Sequence, residues 1–234
     1  MRLDKFLADM SIGTRKEIKQ MIRDKAVTVN GVTASDPGMA VSPDMVICIH
    51  GQPVQYETTE YYLMNKPAGV ISASEDPKQK TVLDLIDERR RKDLFPVGRL
   101  DKDTVGLLLI TNDGQLAHRM LAPKSHVDKT YFARVSGRVD QTDVEAFAQG
   151  LYVDESLTAM PASLKILSAG PVSEVEITIQ EGKFHQVKRM FAARNKEVIY
   201  LKRISMGPLT LGDLPEGAYR RLDDEEIAAL QEWG

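Results

Sequence analysis

Apolar and polar positions along the chain recur with two periods, and these separate predicted helices from predicted strands. Leu3, Phe6, Leu7 and Met10 fall at i, i+3, i+4 and i+7, which puts one apolar stripe on a short helix. Thr14-Arg15-Lys16-Glu17 has the spacing of a capping box. A second helix is therefore predicted to start there, with Ile18, Met21 and Ile22 inward and Arg15, Lys16, Lys19 and Arg23 outward. Residues 26–34 read as a hairpin around Asn30-Gly31, a pair that tolerates the positive φ angles of a tight turn, and 45–49 as another strand. Residues 50–60 contain turn formers and little apolar periodicity, the pattern of a linker.

After the linker, Tyr61 to Asn65 reads as a strand ended by the turn sequence Lys66-Pro67-Ala68-Gly69. Thr81 to Asp87 is predicted to begin a helix that runs into Arg89-Arg90-Arg91-Lys92, a solvated basic end suited to the helix dipole. Gly98 to Gly106 is a polar loop followed by the apolar run Leu107-Leu108-Leu109-Ile110, a buried strand. Asn112-Asp113-Gly114 turns the chain into a short helix, and further strands are predicted at 131–136 and 174–180. Helices are predicted at 140–149, with Gly150 as its stop, and at 184–194. Strands mixed irregularly with helices favour an α+β fold. The expectation is a small domain over 1–55 and, over 56–234, a larger domain with a mixed, mainly antiparallel sheet and flanking helices.

Composition narrows the class. The chain has 234 residues, of which 42% are hydrophobic and 28% charged, values ordinary for a water-soluble globular protein. No apolar run approaches the roughly 20 residues that cross a bilayer, and the first residues lack a signal-peptide core, so a cytoplasmic protein with no membrane partner is expected. The lone Cys48 lies in a strand pattern and reads as a core thiol. A net charge of -3 argues against indiscriminate coating of nucleic acid. Basic residues nevertheless cluster at Arg15, Lys16, Lys19, Arg23 and Lys25, and again at Lys183, Lys188, Arg189, Arg194, Lys196, Lys202 and Arg203. Two such surfaces would let an otherwise acidic protein hold a polyanion locally.

His50, His118, His126 and His185 form no short-spaced pair, which speaks against a zinc site. The Gly98–Gly106 loop lacks a Gly-Lys-Ser/Thr ending, and there is no Gly-x-Ser-x-Gly elbow. What remains is a carboxylate on a loop beside Arg99 and Lys102. A carboxylate kept ionised by a nearby cation can act as nucleophile or base at a sugar carbon. Asp101 fits that role and Asp103 fits a turn or cap, although spacing alone leaves the choice between them open.

Two resemblances bear on that choice. Arg2-Leu3-Asp4-Lys5-Phe6-Leu7, Thr14-Arg15 and Val27-Thr28-Val29-Asn30-Gly31 make residues 1 to about 55 resemble the S4 RNA-binding domain. This implies RNA contacts by Arg2, Lys5, Arg15, Lys16, Lys19 and Arg23. Lys66-Pro67-Ala68-Gly69, Gly98-Arg99-Leu100-Asp101, Thr111-Asn112-Asp113-Gly114, Lys129-Thr130-Tyr131 and the run Glu181 to Met190 follow in order. Over essentially the whole chain this set is similar to the RsuA-type pseudouridine synthases. The resemblance implies a catalytic Asp101, Tyr131 packing on the target base, and a cation paired with the aspartate, Lys188 before Arg189. It further implies substrate contacts by Lys66, Arg99, His185, Gln186 and Arg189.

The implied reaction turns uridine into pseudouridine in ribosomal RNA, with small-subunit RNA favoured and large-subunit or transfer RNA as alternatives. It involves no redox change and no external group, so no cofactor or metal is expected. The expected partner is ribosomal RNA, within a pre-ribosomal particle, bound by a monomer. Two competing readings are an inactive RNA-binding assembly factor and a nucleoside or glycoside hydrolase. The second would need a further acid, for which Asp103 is the local candidate.

Overall fold

The computed structural model describes residues 1–54, 59–89 and 91–233. Contacts divide the chain into two units, Met1–Glu60 with Ile86–Leu94, and Tyr61–Leu85 with Phe95–Gly234.

In the first unit, α1 (Leu3–Asp9) and α2 (Arg15–Arg23) carry the predicted stripes, and Leu3, Phe6, Leu7, Ile18 and Ile22 are buried together. Each such side chain contributes about 1.5–3 kcal/mol by leaving water. The capping box forms as expected: the Glu17 N–H donates to Thr14 Oγ1 at 3.3 Å and the Thr14 N–H to Glu17 Oε2 at 2.6 Å. Strands β1 (Val27–Val29) and β2 (Val32–Thr33) close on Asn30 and Gly31, both at positive φ. The segment read as the start of a linker is structured instead. Strand β3 (Ile47–Ile49) turns at His50 and Gly51 into β4 (Gln52–Pro53), giving a sheet in the order β2-β1-β3-β4. His50-Gly51 is a second turn pair of the Asn-Gly kind, with φ of 49° and 79°. Residues 55–58 of that expected linker lie outside the described residues. Cys48 in β3 is half-buried, not a fully buried core thiol.

The helix expected from Thr81 is a single 3-10 turn, Leu83–Leu85. Asp84 accepts from both the N–H and the hydroxyl of Thr81, at 2.8 and 3.0 Å, so the acid is spent closing one turn. The basic run beyond is not a solvated helix end: Arg91 is buried, its guanidinium on Asp93 at 2.6 Å and its N–H on Glu60 at 2.8 Å. Arg90 lies outside the described residues.

The second unit is built on β7 (Val105–Thr111), every residue of which is buried. One edge of β7 pairs antiparallel with β5 (Tyr61–Lys66). It also pairs with β13 (Glu197–Met206), in parallel at Val105 and Gly106, and with β6 (Phe95–Pro96), antiparallel at Ile110 and Thr111. Outward from β13 lie β8 (Lys129–Ser136), β12 (Val172–Ile179) and β11 (Ser163–Ser168). β14 (Leu209–Thr210) pairs with β13 and β15 (Tyr219–Arg221) with β5, and among the described residues the sheet has nine strands. A separate ribbon joins β9 (Leu151–Asp154) to β10 (Leu157–Ala159). The helices are α3 (Gly114–Leu121), α4 (Gln141–Ala148), α5 (Gln186–Ala192) and α6 (Asp224–Glu232). Residues of α3 and α6 share a core with Leu63, Leu107, Leu109 and Met206.

β13, the ten-residue strand that joins the two halves of the sheet, was not foreseen from the sequence, nor was α6 behind its Asp223 cap. Residues 184 and 185 also precede α5 instead of belonging to it. The late basic cluster is dispersed. Arg194 and Lys196 bind the buried Asp143 at 2.9 Å each, and Arg203 is buried with Nε donating to Leu107 O at 2.8 Å.

The meeting of β7 and β13 requires Gly106. Its φ is +104°, and a Cβ there would lie 2.2 Å from Arg203 O and 2.7 Å from Arg203 N. Backbone on backbone cannot yield as a flexible side chain can. Gly106→Ala is expected to cost about 3 kcal/mol or more in urea unfolding. Gly114→Ala, where nothing lies within 4 Å, is expected to change stability by less than about 0.5 kcal/mol. Equal effects at the two positions would contradict the packing argument.

Candidate active site

The loop before β7 is shaped by hydrogen bonds to its own carbonyls. Lys66, at the end of β5, is fully buried. Its Nζ donates to Asp101 O at 3.1 Å, Lys102 O at 3.3 Å, Thr104 O at 2.9 Å and Pro67 O at 3.1 Å. The Gly69 N–H donates to Lys102 O at 2.8 Å. Ser72 Oγ both accepts from the Leu100 N–H at 3.0 Å and donates to Leu100 O at 2.9 Å. Burial pushes the Lys66 ammonium down to about 8, against the opposing pull of the Asp103, Asp101 and Glu216 charges.

With its backbone fixed, the loop presents the Asp101 side chain, 25% exposed, to a narrow cleft also lined by Arg99, Thr104, Tyr131, His185 and Lys188. Asp101 Oδ2 lies 3.2 Å from Lys188 Nζ, and Oδ1 lies 3.6 Å from His185 Nε2. Tyr131 arrives through sheet register: on β8 it stands opposite Arg203 of β13, which in turn stands opposite Gly106 of β7. The inward alternation of β8 buries Lys129, Tyr131, Ala133 and Val135 on one face. A shallow groove of about 470 Å³, lined by Ala68, Gly69, Lys102 and Asp103, shares Asp101 and His185 with the cleft.

Asp101, Tyr131, Lys188, Arg99 and His185 are thus brought together. Three other residues named from the sequence have their polar groups engaged by the protein itself. Lys66 is under the loop, where its ammonium is occupied by carbonyls and does not face the cleft as a substrate contact. Gln186 lines the cleft but is buried, with Nε2 donating to Glu181 Oε1 at 2.7 Å and Oε1 accepting from the Lys183 N–H at 3.0 Å. Arg189 points to the β9–β10 ribbon, where Nη2 meets Asp154 at 2.6 Å and Ser156 Oγ at 2.6 Å. Of the two candidate cations, therefore, Lys188 is the one at Asp101.

Asp103 does more than bond a nearby amide. Its carboxylate, 73% exposed, takes the shorter contact to Lys188, 2.6 Å. That hydrogen bond holds the Asp103 carboxyl below its usual range, while the two carboxylates outweigh burial and raise the Lys188 ammonium. Lys188 is a shared cation, which no spacing rule could reveal because residues 101, 103 and 188 meet only through the fold. Ser72 and Glu216 gave no sequence signal at all. In the first unit, Arg15, Lys16, Lys19 and Lys5 are exposed, Arg2 is bound to Asp4 at 3.0 Å and Arg23 to Gln20 at 2.7 Å.

Two outcomes follow from these contacts. Lys66→Met leaves four inward carbonyls without their cation. It is expected to lower kcat at least tenfold and stability by about 3 kcal/mol. Unchanged turnover in that variant would remove Lys66 from the site's support. The second outcome concerns pH. Hydrogen bonds from Arg189, then from Ser156, depress the Asp154 carboxyl to about 2. A depressed carboxyl stabilises the fold above its ordinary pKa, and that contribution is lost as pH falls toward 2. In Arg189→Met the Asp154 carboxyl, still held by Ser156, should titrate higher by NMR than in wild type; an unmoved titration would show that Arg189 is not its partner.

Comparison with known proteins accords with this geometry. Residues 60–193 match the family model for RNA pseudouridylate synthase, and residues 1–47 match the S4 domain. The chain is 46% identical, over 99% of both chains, to a Bacillus subtilis (strain 168) protein named "Uncharacterized RNA pseudouridine synthase YtzG". It is 39% identical to "Ribosomal small subunit pseudouridine synthase A" of Escherichia coli (strain K12), over 98% of this chain and 100% of that one. A solved structure described as "Crystal structure of pseudouridylate synthase" superposes with a TM-score of 0.69 at 36% identity, covering 98% of this chain and 99% of that chain. With an S4 domain followed by a synthase domain whose match takes in Asp101, Tyr131 and Lys188, the chain belongs to the RsuA-type RNA pseudouridine synthases.

Proposed function

We propose that the chain converts one uridine of small-subunit ribosomal RNA into pseudouridine, with Asp101 as the reacting carboxylate. The observation that carries this reading is the Asp101–Lys188 pair, 3.2 Å apart in a cleft shared with Tyr131. The substrate class is taken from the relative of Escherichia coli, which matches over its full length.

The chemistry asks little beyond these groups. The N1–C1′ bond of uridine breaks, the uracil turns, C5 joins C1′, and as the proton on C5 leaves to solvent, the freed N1 takes one up. Asp101 serves either by attacking C1′ or by removing the C2′ proton and later returning it, with Lys188 at 3.2 Å to hold the carboxylate in place. The base must first leave its stack, which costs a few kcal/mol, and an aromatic wall such as Tyr131 offsets part of it. The cleft itself, about 50 Å³, has room for little more than a water. A base therefore enters from the adjoining groove as exposed side chains at the mouth, Arg99 among them, swing aside. Arg99 is then placed to meet the backbone phosphate.

We assign RNA holding outside the cleft to the S4 domain, residues 1–55, through exposed Lys5, Arg15, Lys16 and Lys19 with Arg2 and Arg23. The assembling small subunit is the proposed setting, met by the chain as a monomer. The test is tritium release from small-subunit RNA labelled at C5 of uridine. Wild type should release tritium, Asp101→Asn should release none while binding RNA normally, and Lys188→Met should lose at least a hundredfold in kcat. Turnover by Asp101→Asn would end the assignment, and release from large-subunit RNA alone would move the substrate.

A further inference from the structure

The turn that carries His185 into the site also holds an aromatic ring out of the protein. Phe184 is 73% exposed, although a Phe side chain gains about 1.5–3 kcal/mol from burial. Single exposed apolar residues are common and need no explanation by themselves. Phe184 differs because its ring lies against the imidazole of His185, with centroids 3.8 Å apart and planes within 18°. That imidazole lines both the cleft and the groove and reaches Asp101 at 3.6 Å. The two rings therefore make a flat stack that begins at the reacting carboxylate and ends in solvent.

The stack is held firmly. His185 has φ of 50° and ψ of 29°, the left-handed region uncommon for a non-glycine residue, and its surroundings pin it there. Those surroundings are the Gln186 side chain, which accepts from the Lys183 N–H at 3.0 Å, and Arg189, whose Nη1 donates to Phe184 O at 3.3 Å. Arg189 is itself anchored on Asp154. This accounts for Arg189 and Gln186 better than direct substrate contact does, since both side chains are occupied in fixing the turn that orients the rings.

We propose that the Phe184–His185 stack is a platform for an unpaired RNA base next to the target uridine, a neighbour left without its stacking partner when that uridine enters the cleft. The proposal rests on the reading that the cleft receives uridine. A π-face accepts any base, so the platform would lower the cost of exposing the target without reading sequence. Its ligand is a single nucleobase within an RNA strand.

The test uses the full chain and an RNA stem-loop that the wild-type protein modifies, with 2-aminopurine replacing the base on one side or the other of the modified uridine. Binding of wild type should quench fluorescence at one of these positions. Phe184→Ala and Phe184→Leu should lose that quench and raise KM about fivefold or more, the low end of what one stacked base contributes, with kcat within about twofold. Phe184→Tyr should retain both properties. Phe184→Leu keeps the apolar bulk, so an unchanged thermal melt with a raised KM separates stacking from folding. If the wild-type protein modifies the RNA while Phe184→Leu shows the same KM and the same quench, the platform is wrong and the Asp101 reading stands. If Asp101→Asn turns over while Phe184→Leu remains impaired, the assignment of Asp101 fails and the platform survives.

Discussion

The site depends on one buried ammonium. Lys66 has no exposure to solvent, and its Nζ is surrounded by carbonyl oxygens of Pro67, Asp101, Lys102 and Thr104. A cation removed from water is costly unless its hydrogen bonds are replaced, and here the replacement comes from the backbone of the loop that carries Asp101. The loop thus owes its shape to a charge that takes no part in the proposed chemistry. The same charge sits beneath two carboxylates, Asp101 and Asp103, while Lys188 sits across them from α5. Lys188 bridges the two carboxylates, 3.2 Å from Asp101 and 2.6 Å from Asp103, and its hydrogen bond holds the Asp103 carboxyl below its usual range.

The second constraint is backbone proximity. Tyr131 and Asp101 come from segments far apart in sequence, and what unites them is the parallel contact of β7 and β13 at Gly106; α5 brings Lys188 to the same carboxylate. Because β13 also pairs with β8 along its length, fixing Arg203 against Gly106 fixes Tyr131 one strand further out. Arg203 contributes from within, donating to Leu107 O across the same junction. Local loop chemistry and long-range sheet register therefore have to agree before the cleft exists.

What could be read from the sequence follows from that division. Signals contained within a few residues were legible: the Thr14–Glu17 cap, the Asn30-Gly31 turn, the stop at Gly150 and the buried run of β7. β13 was not, because Lys202 and Arg203 read as surface cations, and nothing local tells that Arg203 is buried against a carbonyl ninety-six residues away. The family resemblance implied Lys66 as a substrate contact, and no local pattern shows that its ammonium is enclosed by carbonyls of the loop. The helix expected after Thr81 failed on a local competition, in which Asp84 closes a single turn on Thr81. The family resemblance named Asp101, Tyr131 and Lys188, but only the fold brings out Asp103 as a second claimant on Lys188.

The most direct test of the central claim is a map of pseudouridine at nucleotide resolution in ribosomal RNA from cells with and without this protein. The account predicts that one pseudouridine of the small subunit disappears with the protein, returns with the wild-type chain and does not return with Asp101→Asn. An unchanged map, or restoration by Asp101→Asn, would contradict it.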